Sequence, residues 1–284
     1  MRSNAAEENE REFHFSDKEF KFISKLVGER TGIVLSDAKR QMVYGRLSRR
    51  LRQLKLTKFS DYCELLVSGH EGELIEFTNA ITTNLTAFFR ENHHFEHLKE
   101  KVIPEIVRKN AGSKRIRVWS AGCSSGEEPY SIAMCLREAI PNSSSWDIKI
   151  LATDLDSNMV QRGSDGVYTS ERVEGLSASR MKRWVQRGKG DNSDKVKMSQ
   201  ELRDLITFKK LNLMDEWPMK GPFDFMFCRN VVIYFNKDTQ RELFDRYADL
   251  LVPEARLFIG HSESLNKVTE RFELLGQTIY KKVK

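Results

Sequence analysis

The stretch from Arg115 to Ser131, RIRVWSAGCSSGEEPYS, constrains this chain more than any other. It opens as a β-branched and aromatic alternation (Ile116, Val118, Trp119), breaks into small residues from Ser120 to Gly126, and restarts with helical spacing at Tyr130, Ile132, Ala133 and Leu136. A strand, a glycine turn and a helix in that order aim backbone N–H groups and a positive helix end at whatever lies beyond the strand, as α/β sheets do when they hold a nucleotide-like ligand. The spacing excludes a dinucleotide fingerprint, which needs G-x-G-x-x-G. Here only Gly122 and Gly126 are present, and the helix begins with Glu127 and Glu128. Two carboxylates repel a diphosphate and suit a cationic ligand bearing an ammonium or a sulfonium; the same pair would also be favoured merely as the acidic first turn of a helix.

The remainder of the C-terminal part alternates in the same way. DIKILATDLD is a buried strand ending in acids, SNMVQRGSDG a helix, LITFKKLNL a third strand and FDFMFCRNVVIYF a fourth. An amphipathic helix, DTQRELFDRYADLLV, follows, and ARLFIGHSES with FELLGQTIYKKV closes the chain as two strands. Alternating strands and helices predict a parallel sheet with crossovers, and the last pair an antiparallel edge. Tyr168 to Lys197 breaks the alternation, being rich in Arg, Lys, Gly and Ser, and reads as an insertion with a turn at Gly188 to Ser193 and a short strand in KVKMSQ. Residues at the carboxyl ends of parallel strands are where a ligand lies. Those residues are Gly122 to Glu128, Asp154 with Asp156, Asn212 with Leu213, and Arg229 with Asn230. Asp154 suits a ribose diol, because a carboxylate accepts from two hydroxyls, whereas Asp156 or Ser157 suits the N-cap of the next helix.

Ahead of the sheet the spacing predicts a small helical bundle from Ser16 to Thr82. Ser16 and Glu19 make a capping box and Gly32 a stop; Ser36 is a candidate cap for a second helix carrying Ala38, Met42, Val43, Leu47, Leu51 and Leu54 on one face. Two more helices fit FSDYCELLVSG and EGELIEFTNAIT. The net charge of +6 is unevenly placed, with Lys39, Arg40, Arg46, Arg49, Arg50, Arg52, Lys55 and Lys58 occurring between Asp37 and Asp61 without an acid. Arg46, Arg49 and Arg50 form an expected basic ridge, which asks for an acidic partner. TTNLTAFFREN then reads as a shaped loop into a helix that Pro104 interrupts or restarts before Asn110 and Gly112.

Other classes are disfavoured. No run approaches the ~18 apolar residues of a membrane span, and the polar, acidic start is unlike a signal peptide, so a soluble cytoplasmic protein is expected. Cys63, Cys123, Cys135 and Cys228 form no C-x-x-C and read as small core residues. His93 and His97 lie at i, i+4 without an accompanying metal-site motif, so no metal is expected, and His261 reads as a hydrogen-bonded structural residue.

TTNLTAFFR, AGCSSGEEPYS, ATDLD, FCRNVVIYF and GHSE, in that order, resemble the CheR-type chemotaxis-receptor methyltransferases across nearly the whole chain after its polar start. The resemblance implies a Rossmann-like class I methyltransferase α/β sheet with an antiparallel edge, preceded by a small all-α domain and carrying a small β insertion. The domains are then a tail at 1–15, expected to be disordered because it is charged and has no apolar period, a helical receptor-docking domain at 16–84, a linker and helix at 85–112, the methyltransferase domain at 113–284 and the inserted β-subdomain at 168–200. The resemblance implies S-adenosylmethionine as cofactor, S-adenosylhomocysteine as product, and glutamates of chemotaxis receptors as acceptors. Asn84, Thr86 and Arg90 match the loop that closes over the cofactor, with Gly122 in the glycine turn below. Glu128 matches the acid at the methionine part, Asp154 the ribose acid, Asn212 and Leu213 the adenine contacts, and Arg229 and Asn230 the residues under the sulfonium. Arg46, Arg49 and Arg50 fall on the receptor-docking surface. Gly188 and Gly190 fall in a turn like the one with which some members grip a receptor C-terminal peptide.

A glutamate acceptor is ionised at neutral pH and needs no general base, so Arg90 and Tyr234 are the candidates to orient it. Arg90 could equally be a surface partner of Glu91 or Glu96, and Tyr234 an interior tyrosine. The sequence is also compatible with two rival functions. A nucleic-acid methyltransferase would explain the basic helix, but the chain lacks the N/D-P-P-Y/F/W sequence and the Pro-Cys nucleophile that such enzymes bring to a flipped base. A receptor-binding adaptor without catalysis would retain the same pocket. The default expectation for oligomeric state is a monomer, recruited to membrane receptors without inserting.

Overall fold

A computed structural model describes residues 12–284, which divide between Thr83 and Asn84 into two compact units. The tail expected to be disordered falls, for residues 1–11, outside the described residues. Phe13 and Phe15, assigned to that tail, are instead buried in the core of the first unit beside Phe20 and Phe59. Their isolation in a charged sequence hid them, because no helical or strand period surrounds them.

Among the described residues the first unit holds four α-helices, α1 (Asp17–Thr31), α2 (Arg40–Leu54), α3 (Phe59–Val67) and α4 (Glu71–Ile81). Both halves of the capping box form: the Ser16 hydroxyl accepts from the Glu19 N–H at 3.3 Å, and the Glu19 carboxylate accepts from the Ser16 N–H at 2.6 Å. Gly32 ends α1 at φ 73, where a side chain would be strained. Ser36 does not cap α2; its side chain makes no capping bond, and a 3₁₀ turn over Asp37–Lys39 leads into the helix. The basic ridge is also revised. Arg46 Nη1 donates to the carbonyls of Ile81 at 2.5 Å and Thr82 at 2.6 Å, closing the C-terminus of α4, where carbonyls lack partners and the helix dipole favours a cation. Arg50 forks onto the buried Glu73 through Nε at 2.8 Å and Nη2 at 2.6 Å, and Tyr62 donates to the same carboxylate at 2.8 Å. Of the three, Arg49 is exposed.

The second unit is built on a seven-stranded sheet in the order β6-β2-β1-β7-β8-β10-β9. Its strands are β1 (Arg115–Ala121), β2 (Asp147–Asp154), β6 (Ile206–Lys210), β7 (Phe223–Cys228), β8 (Leu251–Ile259), β9 (Phe272–Gly276) and β10 (Ile279–Lys282). The first five in the sheet's order after and including β6 run parallel, with Ala121 beside Thr153, Asp154 beside Lys210 and Cys228 beside Ile259, so their carboxyl ends share one edge. Apolar residues face both ways because both faces are covered: Val118, Phe225 and Phe227 lie in one core, and Trp119, Met226 and Cys228 in the other. The closing segment is three strands rather than two. FELLGQTIYKKV folds on itself at Gln277 (φ 49) and Thr278 (φ 60) and inserts β10 antiparallel between β8 and β9. A β-branched residue at positive φ gave no turn signal in the sequence.

Before the sheet runs α5 (His93–His97), a π turn over Leu98–Val102, and α6 (Ile103–Lys109), with Pro104 tolerated in the first turn of α6. Helix α7 (Glu127–Ala139) follows β1, and α8 (Ser157–Asp165) follows β2. The insertion is a three-stranded antiparallel sheet, β3 (Val167–Thr169), β5 (Lys195–Met198) and β4 (Val185–Arg187), with helices α9 (Ser170–Val173) and α10 (Ala178–Trp184). Helix α11 (Gln200–Arg203) leads into β6, and α12 (Lys237–Asp249) joins β7 to β8. No helix among the described residues is long and apolar enough to cross a membrane.

Candidate active site

The glycine turn after β1 is fixed by its neighbours. The N–H groups of Gly122 and Cys123 both donate to the Thr153 carbonyl, at 2.8 and 2.9 Å. Gly122 has φ 74, and a Cβ there would lie 2.2 Å from Val231 Cγ2, so only glycine brings β1's end this close to the segment after β7. Helix α7 then presents its two glutamates to different partners. Glu127, wholly buried, faces the Ser125 hydroxyl at 2.7 Å and Arg172 Nη2 at 3.2 Å. Glu128 accepts from the Ser120 hydroxyl at 2.7 Å and from Arg229 Nη1 at 3.2 Å. Burial pushes the Glu128 carboxyl up, against the opposing pull of Arg229 and Ser120.

Asp154 ends β2. Its carboxylate accepts the N–H groups of Ser124 at 2.7 Å and Asp156 at 2.9 Å, and burial pushes its pKa up to about 6 despite those bonds. Asp156 is the N-cap of α8, accepting from Asn158 and Met159. The segment after β6 is joined to this acid, since Leu211 N–H donates to the Asp154 carbonyl at 2.9 Å. Beyond it, Asn212 accepts from Met214 N–H at 3.1 Å, and the buried Leu213 offers its carbonyl to Trp217 at 3.2 Å and Arg246 at 2.8 Å.

The loop from Asn84 to Glu91 is strapped over this turn. Asn84 Nδ2 donates to Asp156 at 2.7 Å, while the Asn84 carbonyl accepts from the Ser124 hydroxyl at 3.2 Å. The Thr86 carbonyl accepts from Arg172 at 3.1 Å, and Phe89 N–H donates to the Ser131 hydroxyl at 3.0 Å. Phe89 and Glu91 sit at φ 54 and 55, a conformation non-glycine residues hold only when their surroundings dictate it. Arg90 makes no ion pair with Glu91 or Glu96 among the described contacts; its Nη1 donates to the Leu85 carbonyl at 2.7 Å. Glu91 instead meets His261 Nδ1 at 2.9 Å and Arg229 Nη2 at 3.4 Å. Burial opposes ionisation of Glu91, but the His261 hydrogen bond and the Arg229 charge outweigh it and bring the pKa down to about 2.

Arg229 is the knot of the site. Its side chain is 2% exposed and bonds Glu128, Glu91 and the Arg90 carbonyl, joining the end of β7, the start of α7 and the strap. Asn230 follows at φ 60. Glu263, the last residue of GHSE, is a buried carboxylate that accepts four backbone N–H groups: Gly260 at 2.5 Å, Asn230 at 2.9 Å, Val231 at 2.9 Å and Ile233 at 3.3 Å. Burial raises its pKa, and those four bonds pull the other way. GHSE is visible as a motif, but three of the four partners, Asn230, Val231 and Ile233, lie in a separate segment. Tyr234 closes the 3₁₀ turn Val232–Tyr234 as a half-buried residue.

Asn84, Arg90, Gly122, Glu128, Asp154, Arg229 and Asn230 are thus linked through direct bonds or packing, with Thr86 and Tyr234 in the same two segments. Asn212 and Leu213 adjoin them through Leu211. Arg46, Arg49 and Arg50 belong to the first unit. Gly188 and Gly190 lie in the turn joining β4 to β5, where a Cβ on Gly188 would fall 2.0 Å from the Asn192 carbonyl oxygen. Glu91, Ser120, Arg172 and Glu263 are the members that sequence reasoning missed. Chemically, buried carboxylates at two adjacent strand ends form an acceptor set for a ligand bearing hydroxyl and cationic groups. S-adenosylmethionine carries both, so the residues present fit it.

Comparison with known proteins agrees. Residues 84–281 match the family described as CheR methyltransferase, SAM binding domain, and residues 18–82 match CheR methyltransferase, all-alpha domain. The chain is 45% identical over 268 residues to a chemotaxis protein methyltransferase of Escherichia coli, covering 93% of this chain and 91% of that one. It is 43% identical over 270 residues to chemotaxis protein methyltransferase 2 of Pseudomonas aeruginosa, covering 95% and 94%. A fold built on the strand ends, a cradle suited to S-adenosylmethionine and these matches lead to one statement: the chain belongs to the CheR family of S-adenosylmethionine-dependent chemotaxis methyltransferases.

Proposed function

We propose that this protein transfers methyl groups to glutamate side chains of chemotaxis receptors, forming methyl esters for sensory adaptation. The observation that carries the reading is the buried Glu128, held by Arg229 and Ser120 beside the strap, with Asp154 at the next strand end. Asp154 would take the ribose hydroxyls, Glu128 the ammonium of the methionine part, and Asn212 with Leu213 the adenine. Asn84, Thr86 and Arg90 would cover the cofactor, with Gly122 beneath it and Asn230 alongside. Bound there, S-adenosylmethionine would supply an electrophilic methyl group on a positively charged sulfur, to which these residues would present a carboxylate oxygen.

What the chain's own residues must do is placement and exclusion of water, since the opposite charges of nucleophile and sulfonium disappear during transfer and water favours the separated ions. An acceptor that arrives ionised suits a site whose titratable groups are otherwise engaged. Burial and the Arg229 charge lower the His94 pKa to about 4, and its Nε2 meets the Gln277 carbonyl at 2.9 Å; His261 is taken by Glu91 and Glu263 by its four N–H groups. Arg90 and Tyr234 would orient the acceptor by charge-assisted and phenolic hydrogen bonds. Docking would use the helical unit through exposed residues such as Arg49, and a receptor C-terminal peptide would meet the turn at Gly188 and Gly190. The nucleic-acid reading is weakened because Arg46 and Arg50 are spent on bonds within the helical unit.

Tyr234→Phe should lower turnover about tenfold with little change in cofactor affinity, whereas Arg90→Ala should lower both, as expected when one lost hydrogen bond to a charged group is worth roughly 1.5–3 kcal/mol. Steady-state rates and S-adenosylhomocysteine titration separate the two, and unchanged turnover in both variants would remove their positioning roles. The acceptor itself is tested with purified receptor cytoplasmic fragments. Incorporation should vanish when their modified glutamates are replaced by glutamine, and persistence would overturn the reading.

A further inference from the structure

Arg172 belongs to the inserted subdomain, on α9, yet its guanidinium reaches two parts of the strand-end site. Nη2 lies 3.2 Å from Glu127 Oε1, and Nη1 donates to the Thr86 carbonyl at 3.1 Å. Glu127 is wholly buried and starts α7; Thr86 lies in the strap. A second residue of the insertion converges on the same place, because the Tyr168 hydroxyl donates to the Ser125 carbonyl at 2.7 Å. That hydroxyl also lies 2.9 Å from where a Cβ on Gly126 would stand, so the subdomain is fitted against the glycine turn.

We propose that Arg172 is a positioning residue for cofactor binding: one planar guanidinium neutralises the buried Glu127 and clamps the strap onto the glycine turn. A buried carboxylate deprived of its cation is strongly unfavourable as an anion, and it is relieved by proton uptake or by a shift of the turn, either of which unseats the contact that Arg172 makes. Arginine serves two acceptors in different directions at once, whereas the single ammonium of a lysine reaches one well. The inference rests on the family's cofactor and not on the identity of the methyl acceptor, so it survives or fails independently of the glutamate reading.

The test is titration of the full chain with S-adenosylhomocysteine, alongside thermal melting without ligand. Arg172→Ala should weaken binding about tenfold, and Arg172→Lys by an intermediate factor. Adding Glu127→Gln to Arg172→Ala should restore part of the loss, because an amide needs no counter-ion and can still accept from Ser125. Glu127→Gln alone should weaken binding, since its amide donor would face the guanidinium. A merely structural arginine would lower the melting temperature and leave the dissociation constant alone. Affinity within about twofold of wild type in both Arg172 variants, or no recovery in the double variant, overturns the proposal. If Arg172→Ala melts too low to titrate, Arg172→Lys decides by the same threshold.

Discussion

Asp154→Ala is expected to raise the dissociation constant for S-adenosylhomocysteine by about 100-fold or more, because an ionised carboxylate gives up two hydrogen bonds worth roughly 1.5–3 kcal/mol each. The substitution also leaves the N–H groups of Ser124 and Asp156 without their acceptor, so the turn loses its preset shape as well as its contact. The same acid makes binding depend on pH. Burial pushes its pKa up to about 6 in the cofactor-free protein, so it takes up its proton at a higher pH than an ordinary aspartate at 3.8. Affinity should therefore be level above pH 7 and fall as pH drops through about 6. The folding term has the opposite sign: a raised folded-state pKa means the folded state binds the proton more tightly, so this group's contribution to stability improves as pH falls from about 6 towards 3.8. Weakened affinity at pH 5.5 without weakened folding would separate the two, read by titration and melting together. An Asp154→Ala protein that binds normally would remove Asp154 from the site.

The second large effect belongs to Glu263. Glu263→Ala withdraws the acceptor from four backbone N–H groups at once, and even with water admitted to some of them the cost should be about 3 kcal/mol or more of stability. Turnover should fall by roughly 100-fold or more, because the segment Glu263 holds carries Arg229, Asn230 and Tyr234, and small displacements of positioning groups are costly. Glu263→Gln should fall nearly as far, since its amide NH₂ would face donors. Chemical denaturation and turnover on the same samples check both figures. A Glu263→Ala protein with wild-type turnover would show that this segment holds its shape without the carboxylate.

Features encoded within a few residues were readable in advance. The capping box of Ser16 and Glu19, the glycine turn after β1 and the acid ending β2 each follow from local periodicity and turn chemistry. Features set across the chain were not. Arg46 and Arg50 looked like an outward ridge because their helix gives them one face, but the α4 carbonyls and Glu73 that capture them lie far along the sequence. Glu263 likewise has no partner within reach of its motif beyond Gly260 until the segment after β7 folds against it. Glu91 reads in the sequence as a neighbour for Arg90, but at φ 55 it meets Arg229 and His261, which lie far along the chain. The extra strand was hidden by Gln277 and Thr278, residues that seldom occupy the turn they make.

Whether the methyl group goes to a carboxylate oxygen is read from the chemistry of the product. After incubation of the protein with methyl-labelled S-adenosylmethionine and receptor cytoplasmic fragments, mild alkali should release the label as methanol, as it does from a carboxylic ester and not from an N- or C-methyl group. Label that stays on the fragment through that treatment would contradict transfer to oxygen.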